Sequence, residues 1–86
     1  MIPNKTKNLW EKIKPEDWNS QSNACHGIWQ NANRGEFADR VEYRNGSRHC
    51  EICDNGLIIL WVQTGSDSRS YWNMDASVND AKKHMQ

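Results

Sequence analysis

Apolar residues near the N-terminus recur at the three- and four-residue spacing of an amphipathic helix. They are Leu9, Trp10 and Ile13, within the segment TKNLWEKI. Asn4 or Thr6 can cap the start of this predicted helix, because either side chain can accept a hydrogen bond from a free backbone N–H. Pro15 disfavours helical geometry in the residue before it and suits a first helical turn, so a second helix is predicted from Pro15.

Residues 19–34 fit two structures. A helix would align Trp18, Cys25 and Trp29 on one face, although Gly27 and four Asn lower the helical propensity of the segment. A strand through ACHGIWQ is the alternative. The helix is the favoured prediction, and the strand stays open.

Beyond residue 36 the hydrophobic period becomes two, which predicts strands. Apolar and charged residues alternate in DRVEYR, and Asn45 and Gly46 are typical of a two-residue hairpin loop of type I′. Further on, DNG at 54–56 fits a three-residue hairpin loop with Gly56 in the left-handed conformation. The first loop would pair Val41 with Cys50 and Tyr43 with Arg48, and the second would pair Ile52 with Ile58 and Cys50 with Leu60.

The two hairpins divide the side chains between two sheet faces. One face would be apolar and hold Val41, Tyr43, Cys50, Ile52, Ile58, Leu60 and Val62. The other would be mixed and hold Arg40, Glu42, Arg44, His49, Glu51, Cys53, Ile59 and Trp61. Because the run LIILWV is apolar at every position, its strand should be covered at least partly on both faces.

The last third of the chain completes the predicted fold. TGSDSRS is a polar loop, YWNM predicts an edge strand, and DASVNDAKKHMQ predicts a short helix capped by Asp75 or Ser77. The prediction is one α+β domain over residues 1–86, with one or two N-terminal helices, a three- to four-stranded antiparallel meander and a short C-terminal helix. A chain of this length encloses only a small core.

Composition narrows the classes of function. Eleven Lys and Arg balance eleven Asp and Glu, so no net charge attracts the chain to nucleic acid or to an anionic membrane. No segment approaches the roughly 18 apolar residues that span a bilayer, and the N-terminus lacks the apolar region of a signal peptide. Three cysteines, an odd number, argue against a disulfide framework. We therefore expect a cytoplasmic protein with no membrane partner.

The cysteines and histidines could supply a zinc site. Its ligands would be Cys25, Cys50, Cys53 and His49. However, residues three apart on a regular strand point to opposite faces, and no second paired unit follows Cys50 and Cys53. The favoured interpretation is that both are packing residues, with no metal and no cofactor.

The chain contains none of the short motifs that mark hydrolases, zinc peptidases or phosphate-binding loops, so we expect a non-enzymatic protein. One alternative is nucleic-acid binding, with Arg40, Arg44 and His49 beside Trp61 on one sheet face. The acidic Glu42 and Glu51 on that face weaken this alternative, because they offset its positive charge.

Protein binding is the favoured function. Five Trp exceed what so small a core is expected to enclose, and Trp, Tyr and Arg dominate interface hot spots. The predicted partner-binding residues are Trp61, Arg44, Arg40, Arg69, Tyr71 and Trp72, with most of them in an exposed patch. A homodimer through the edge strand at 71–74 is a second arrangement. A short chain that starts at Met1 without catalytic motifs fits a small accessory or inhibitor protein of a phage or mobile element, including one that blocks a host defence complex.

Overall fold

The computed structural model describes residues 4–18, 24–31 and 36–86. A five-stranded antiparallel sheet, with its strands in chain order, lies between an N-terminal and a C-terminal helix in the sequence. The elements are α1 (Asn4–Ile13), β1 (Ala24–Asn31), β2 (Glu36–Asn45), β3 (Arg48–Cys53), β4 (Ile58–Gln63), β5 (Arg69–Asn73) and α2 (Val78–His84). The predicted α+β layout is confirmed, and β1 adds a strand to the predicted meander.

The helix favoured for residues 19–34 is wrong over Ala24–Asn31, where the chain forms β1. This strand pairs with β2 along its whole length, from Ala24 opposite Tyr43 to Asn31 opposite Glu36. Such long-range pairing overrides local propensity, which was weak for either structure. The rest of that segment lies outside the described residues.

The first helix forms as predicted, but Thr6 lies within α1 and does not cap it, because the helix begins at Asn4. Lys14 N–H donates to Trp10 O at 2.8 Å, which completes the last helical turn. The second helix predicted from Pro15 is wrong up to Trp18, because the chain turns there and Trp18 N–H donates to Pro15 O at 3.1 Å. The continuation of that predicted helix lies outside the described residues.

The first hairpin differs from the prediction in its register. Asn45 pairs with Arg48, so the loop is Gly46 and Ser47, and Val41 lies opposite Ile52 rather than Cys50. Only Gly46 has a positive φ in this loop, 63°, which is the pattern of a type II′ turn. Asn45 is also held in the strand, because its Nδ2 donates to Met85 O at 2.5 Å. Tyr43 consequently lies opposite Cys50 and not Arg48.

The second hairpin matches the prediction. Ile52 lies opposite Ile58 and Cys50 opposite Leu60. Cys53 N–H donates to Leu57 O at 2.9 Å, which leaves residues 54–56 as the loop, and Gly56 has a φ of 91°. A residue with a side chain would be strained at this φ, so glycine is required here.

Both helices pack on one face of the sheet. Their buried residues join the predicted apolar face in a cluster that contains Trp10, Ile13, Val41, Tyr43, Cys50, Ile52, Ile58, Leu60, Ala76, Ala81 and Met85. Val62, also predicted for this face, is half-buried. Asn45 and Arg48 of the first hairpin hold the C-terminal residues by donating to the backbone oxygens of Met85 and Gln86.

Ser77, one of the two residues predicted to cap the C-terminal helix, caps α2. Its hydroxyl accepts from Asp80 N–H while Asp80 accepts from Ser77 N–H, which forms a capping box. In the part of the chain that the structure describes, no helix is long and apolar enough to span a membrane.

Candidate binding site

A β-bulge shapes the outer edge of the sheet. Leu60 pairs with Asn73 and Val62 with Ser70, so Tyr71 and Trp72 together face Trp61 on β4. Tyr71 takes up the extra length with a φ of 51°, which is unusual for a residue with a side chain. Two adjacent aromatic residues consequently leave the strand in different directions, and Tyr71 is 61% and Trp72 43% exposed.

Trp61 is buried beneath this edge, on the sheet face opposite the helices. Its indole N–H donates to Glu51 Oε2 at 2.7 Å, and its side chain is only 3% exposed. His49, from β3, stacks on the indole with 3.7 Å between ring centroids. Arg69, from β5, lies with Cζ 4.4 Å from the ring centroid. Because β3 and β5 flank β4, Trp61 is enclosed between an imidazole and a guanidinium.

The two exposed aromatic side chains are each held by a second ring. Trp72 stacks on Trp61 with centroids 5.8 Å apart, and Tyr71 stacks on His84 of α2 with centroids 5.7 Å apart. His84 Nε2 also donates to Trp61 O at 3.0 Å. This bond satisfies a carbonyl at the position where the bulge interrupts the regular ladder. We call Arg69, Tyr71 and Trp72 the aromatic surface.

A polar groove of about 350 Å³ adjoins the aromatic surface. It is lined by Glu42, Arg44, His49, Trp61, Gln63, Ser66, Asp67, Ser68 and Arg69. One wall is the 64–68 loop, which is closed by a bond of 2.9 Å from Thr64 N–H to Ser68 O. Gln63 Nε2 donates to Gly65 O at 3.0 Å and fixes the near side of this loop.

Glu42 connects two residues in the other wall of the groove. Its two carboxylate oxygens contact different groups, Arg44 Nε at 3.1 Å and His49 Nδ1 at 3.2 Å. Burial lowers the pKa of His49, and the hydrogen bond to Glu42 opposes this shift without reversing it. A neutral His49 therefore donates Nδ1–H to Glu42, which fixes the plane of the ring against Trp61.

A buried ion pair lies under the groove. Arg40 Nη1 is 3.7 Å from Glu51 Oε1, and both side chains are almost fully buried. Burial raises the pKa of Glu51, although the bond from Trp61 and the charges of Arg40 and Arg69 lower it. The cost of desolvating the carboxylate therefore exceeds the stabilisation that these three partners provide.

The structure brings together most of the predicted partner-binding residues. Trp61, Arg44 and Arg69 line the groove, and Trp72 lies against Trp61 at its edge. The predicted exposure of Trp61 is wrong, because His49 and Arg69 cover its two faces. Arg40 is only 2% exposed and lies beneath the surface that it was predicted to join. Tyr71 is exposed but stacks on α2, away from the groove.

Three groups that shape the site were not singled out for it from the sequence: Gln63, Glu42 as the link between Arg44 and His49, and His84. Alternation along β2 and β3 places Glu42 and His49 on one face, so their contact across the strands could be predicted from the sequence. His84 carried no such signal, because its contact with Trp61 joins residues that are 23 positions apart.

The two described cysteine side chains do not converge. Cys50 belongs to the cluster under the helices, whereas Cys53 packs with Ile59 and Trp61 on the opposite face. Both side chains are buried. Cys25 lies on β1, and its side chain is outside the described part of the chain, within which no three metal-binding groups cluster.

Comparison of the chain with known proteins does not assign it to a family. The chain matches no protein-family model, and no curated protein or solved structure is significantly similar to it.

Proposed function

We propose that the chain binds another protein through the aromatic surface. The observation that carries this proposal is the exposure of Tyr71 and Trp72, the only large hydrophobic side chains that are exposed among the described residues. They are adjacent in sequence and lie beside Arg69 on an edge strand. Tyr, Trp and Arg are the residue types that contribute most to hot spots of protein interfaces.

The aromatic surface is ordered before a partner binds. Trp72 rests on Trp61, Arg69 rests on the same ring, and Tyr71 rests on His84. Each side chain that is already held loses less conformational entropy on association, a cost of about 0.5–1.5 kcal/mol for a mobile one. Pre-ordering therefore favours binding by these side chains.

The geometry of β5 favours recognition by side chains over addition of a partner strand. A partner strand needs a regular row of free backbone groups, and a bulge interrupts that row. The positive φ of Tyr71 turns the backbone in the middle of the five-residue strand. This arrangement gives less support to a homodimer through the edge strand than to a heterologous protein partner.

The alternative of nucleic-acid binding has weaker support. Bases stack on exposed aromatic faces beside free cations. Here both faces of Trp61 are covered, Arg40 is buried with Glu51, and Arg44 is 3.1 Å from Glu42. Trp72 and Arg69 alone make a small platform for a single strand.

A small domain with one rigid binding surface can act by occupying a surface of its partner. We extend the proposal to an accessory protein or inhibitor of this kind, acting in the cytoplasm, such as one encoded by a phage or mobile element against a host defence complex. The support for this extension is the form of the aromatic surface.

Affinity capture with matched variants tests the proposal. The tagged chain, its Trp72→Ala and Tyr71→Gly variants, and a Lys12→Ala control on the exposed side of α1 are incubated with lysate of the encoding organism, with and without nuclease. We expect one stoichiometric protein on the parent and on Lys12→Ala, resistant to nuclease and lost from both surface variants. Equal capture by all four chains would refute the proposal, and loss of all bound material with nuclease would favour the alternative. Circular dichroism checks that each variant is folded.

A further inference from the structure

Most charged residues around the groove form ion pairs. The exceptions are one positively charged and one negatively charged residue. Glu42 is matched by Arg44, and Glu51 by Arg40. Arg69 and Asp67 are exposed and form no ion pair with any residue that the structure describes. These two groups carry the charge that the groove presents to a ligand.

Arg69 is the better placed of the two. Its guanidinium rests on the Trp61 ring at 4.4 Å, so the cation is positioned at the edge of the groove. A guanidinium that lies over a ring keeps its N–H groups in its own plane, where they can donate two parallel bonds to a carboxylate. Asp67 is in the polar loop, and no hydrogen bond or ion pair to a residue within the described ranges fixes its side chain.

The lining favours an anion of one charge. Ser66, Ser68 and Gln63 add neutral donors near Arg69. The carboxylates of Glu42 and Asp67 line the same groove, and their repulsion acts more strongly on a dianionic phosphate than on a carboxylate. A volume of about 350 Å³ admits an amino-acid side chain with part of its backbone.

We infer, on the basis of the proposed function, that the groove receives an Asp or Glu side chain of the protein that the aromatic surface binds. Arg69 binds the carboxylate through paired N–H donors while it remains on Trp61. Trp72 contacts apolar residues beside that carboxylate, and Tyr71 contacts the same partner on the side of the edge strand that faces α2. The partner is therefore a protein whose binding segment places an acidic residue next to apolar ones.

Nuclear magnetic resonance with a small probe tests the inference directly. Indole N–H resonances of Trp61 and Trp72 are followed while N-acetylglutamate amide is added at millimolar concentrations, with N-acetylglutamine amide as the uncharged probe. We expect saturable shifts with the glutamate probe only. Arg69→Gln should weaken its binding at least tenfold, and Lys12→Gln, which removes a positive charge far from the groove, should leave binding unchanged.

Three results of the titration with the two amide probes would overturn the inference: equal shifts with both probes, no saturable shift with the glutamate probe, or equal shifts in Arg69→Gln. Tighter binding of inorganic phosphate at matched ionic strength would do the same, because it assigns the groove to a phosphate. Protein capture separates this inference from the proposed function. If Trp72→Ala loses the partner and Arg69→Gln keeps it, only the carboxylate site is refuted, whereas capture by both variants refutes the aromatic surface as well.

Discussion

The Trp61 indole N–H donates to Glu51 Oε2 at 2.7 Å, and the second oxygen of the same carboxylate faces Arg40. One buried carboxylate therefore holds both the ring on which the aromatic surface rests and a buried cation. The position of Trp61, and with it the positions of Arg69 and Trp72, depends on this carboxylate.

Arg40→Met should destabilise the fold by about 3 kcal/mol. It leaves the Glu51 carboxylate buried without its cation, and burial already raises the pKa of this carboxyl group. Urea unfolding followed by tryptophan fluorescence gives the free energy of unfolding. The double variant Arg40→Met, Glu51→Gln should lose less than the sum of the two single variants, and strictly additive losses would show that the two groups do not interact.

His49 should make the fold less stable in mild acid. Burial lowers the pKa of His49 in the folded protein below its ordinary value of 6.5, so below that pH the unfolded chain binds a proton more readily than the folded one. Its stabilising contribution is complete above pH 6.5 and declines as the pH falls towards the folded pKa. We expect His49→Gln to unfold with a smaller difference in free energy between about pH 7.5 and about pH 5.5 than the parent. An unchanged difference would mean that His49 is protonated equally in both states.

Tyr71→Gly should remove half of the exposed aromatic area with little cost in stability. Glycine adopts the φ of 51° without strain, which offsets the lost contact between the Tyr71 ring and His84. We expect the free energy of unfolding to change by less than about 1 kcal/mol. Trp72→Gly is the matched control, because Trp72 has no such φ, and it should cost more. A large loss in Tyr71→Gly alone would show that stacking on His84 matters more than backbone strain.

Removal of metal should not affect the fold. Cys50 and Cys53 pack on opposite sheet faces, so one ion cannot bind both thiols. The melting temperature should be the same with and without a chelator, and protein purified without added metal should contain no stoichiometric zinc. A fall in melting temperature with the chelator would indicate a metal site that includes residues outside the described part of the chain.

The strand faces were predictable from sequence because the error in register was two residues, which leaves each side chain on its predicted face. Shifting the first hairpin from an Asn45–Gly46 loop to a Gly46–Ser47 loop changes every pair but leaves Val41 and Tyr43 on the apolar face. The bond from Asn45 to Met85, which accompanies the observed register, spans 40 positions and has no local signature. A helix was favoured over the alternative strand at β1 for the same reason, since the pairing of β1 with β2 is a tertiary contact.

The site was less predictable than the fold. Residue types identified Arg69, Tyr71 and Trp72, but the depth of Trp61 follows from its neighbours on two flanking strands. Neither alternation nor composition distinguishes a Trp on the surface from one enclosed by an imidazole and a guanidinium. The bulge that exposes Tyr71 and Trp72 is likewise not predicted by the local sequence YWNM.

Hydrogen bonds join the first hairpin to the C-terminus, from Asn45 to Met85 O and from Arg48 to Gln86 O. These bonds bear on the order of folding. The β2–β3, β3–β4 and β4–β5 hairpins join neighbouring segments and can form as soon as each is available, whereas the docking of α2 closes a loop of about 40 residues. The first hairpin must be in place before the backbone oxygens of Met85 and Gln86 have these donors. α2 should therefore be the late-closing element, and its amide protons should exchange with solvent sooner than those of β3.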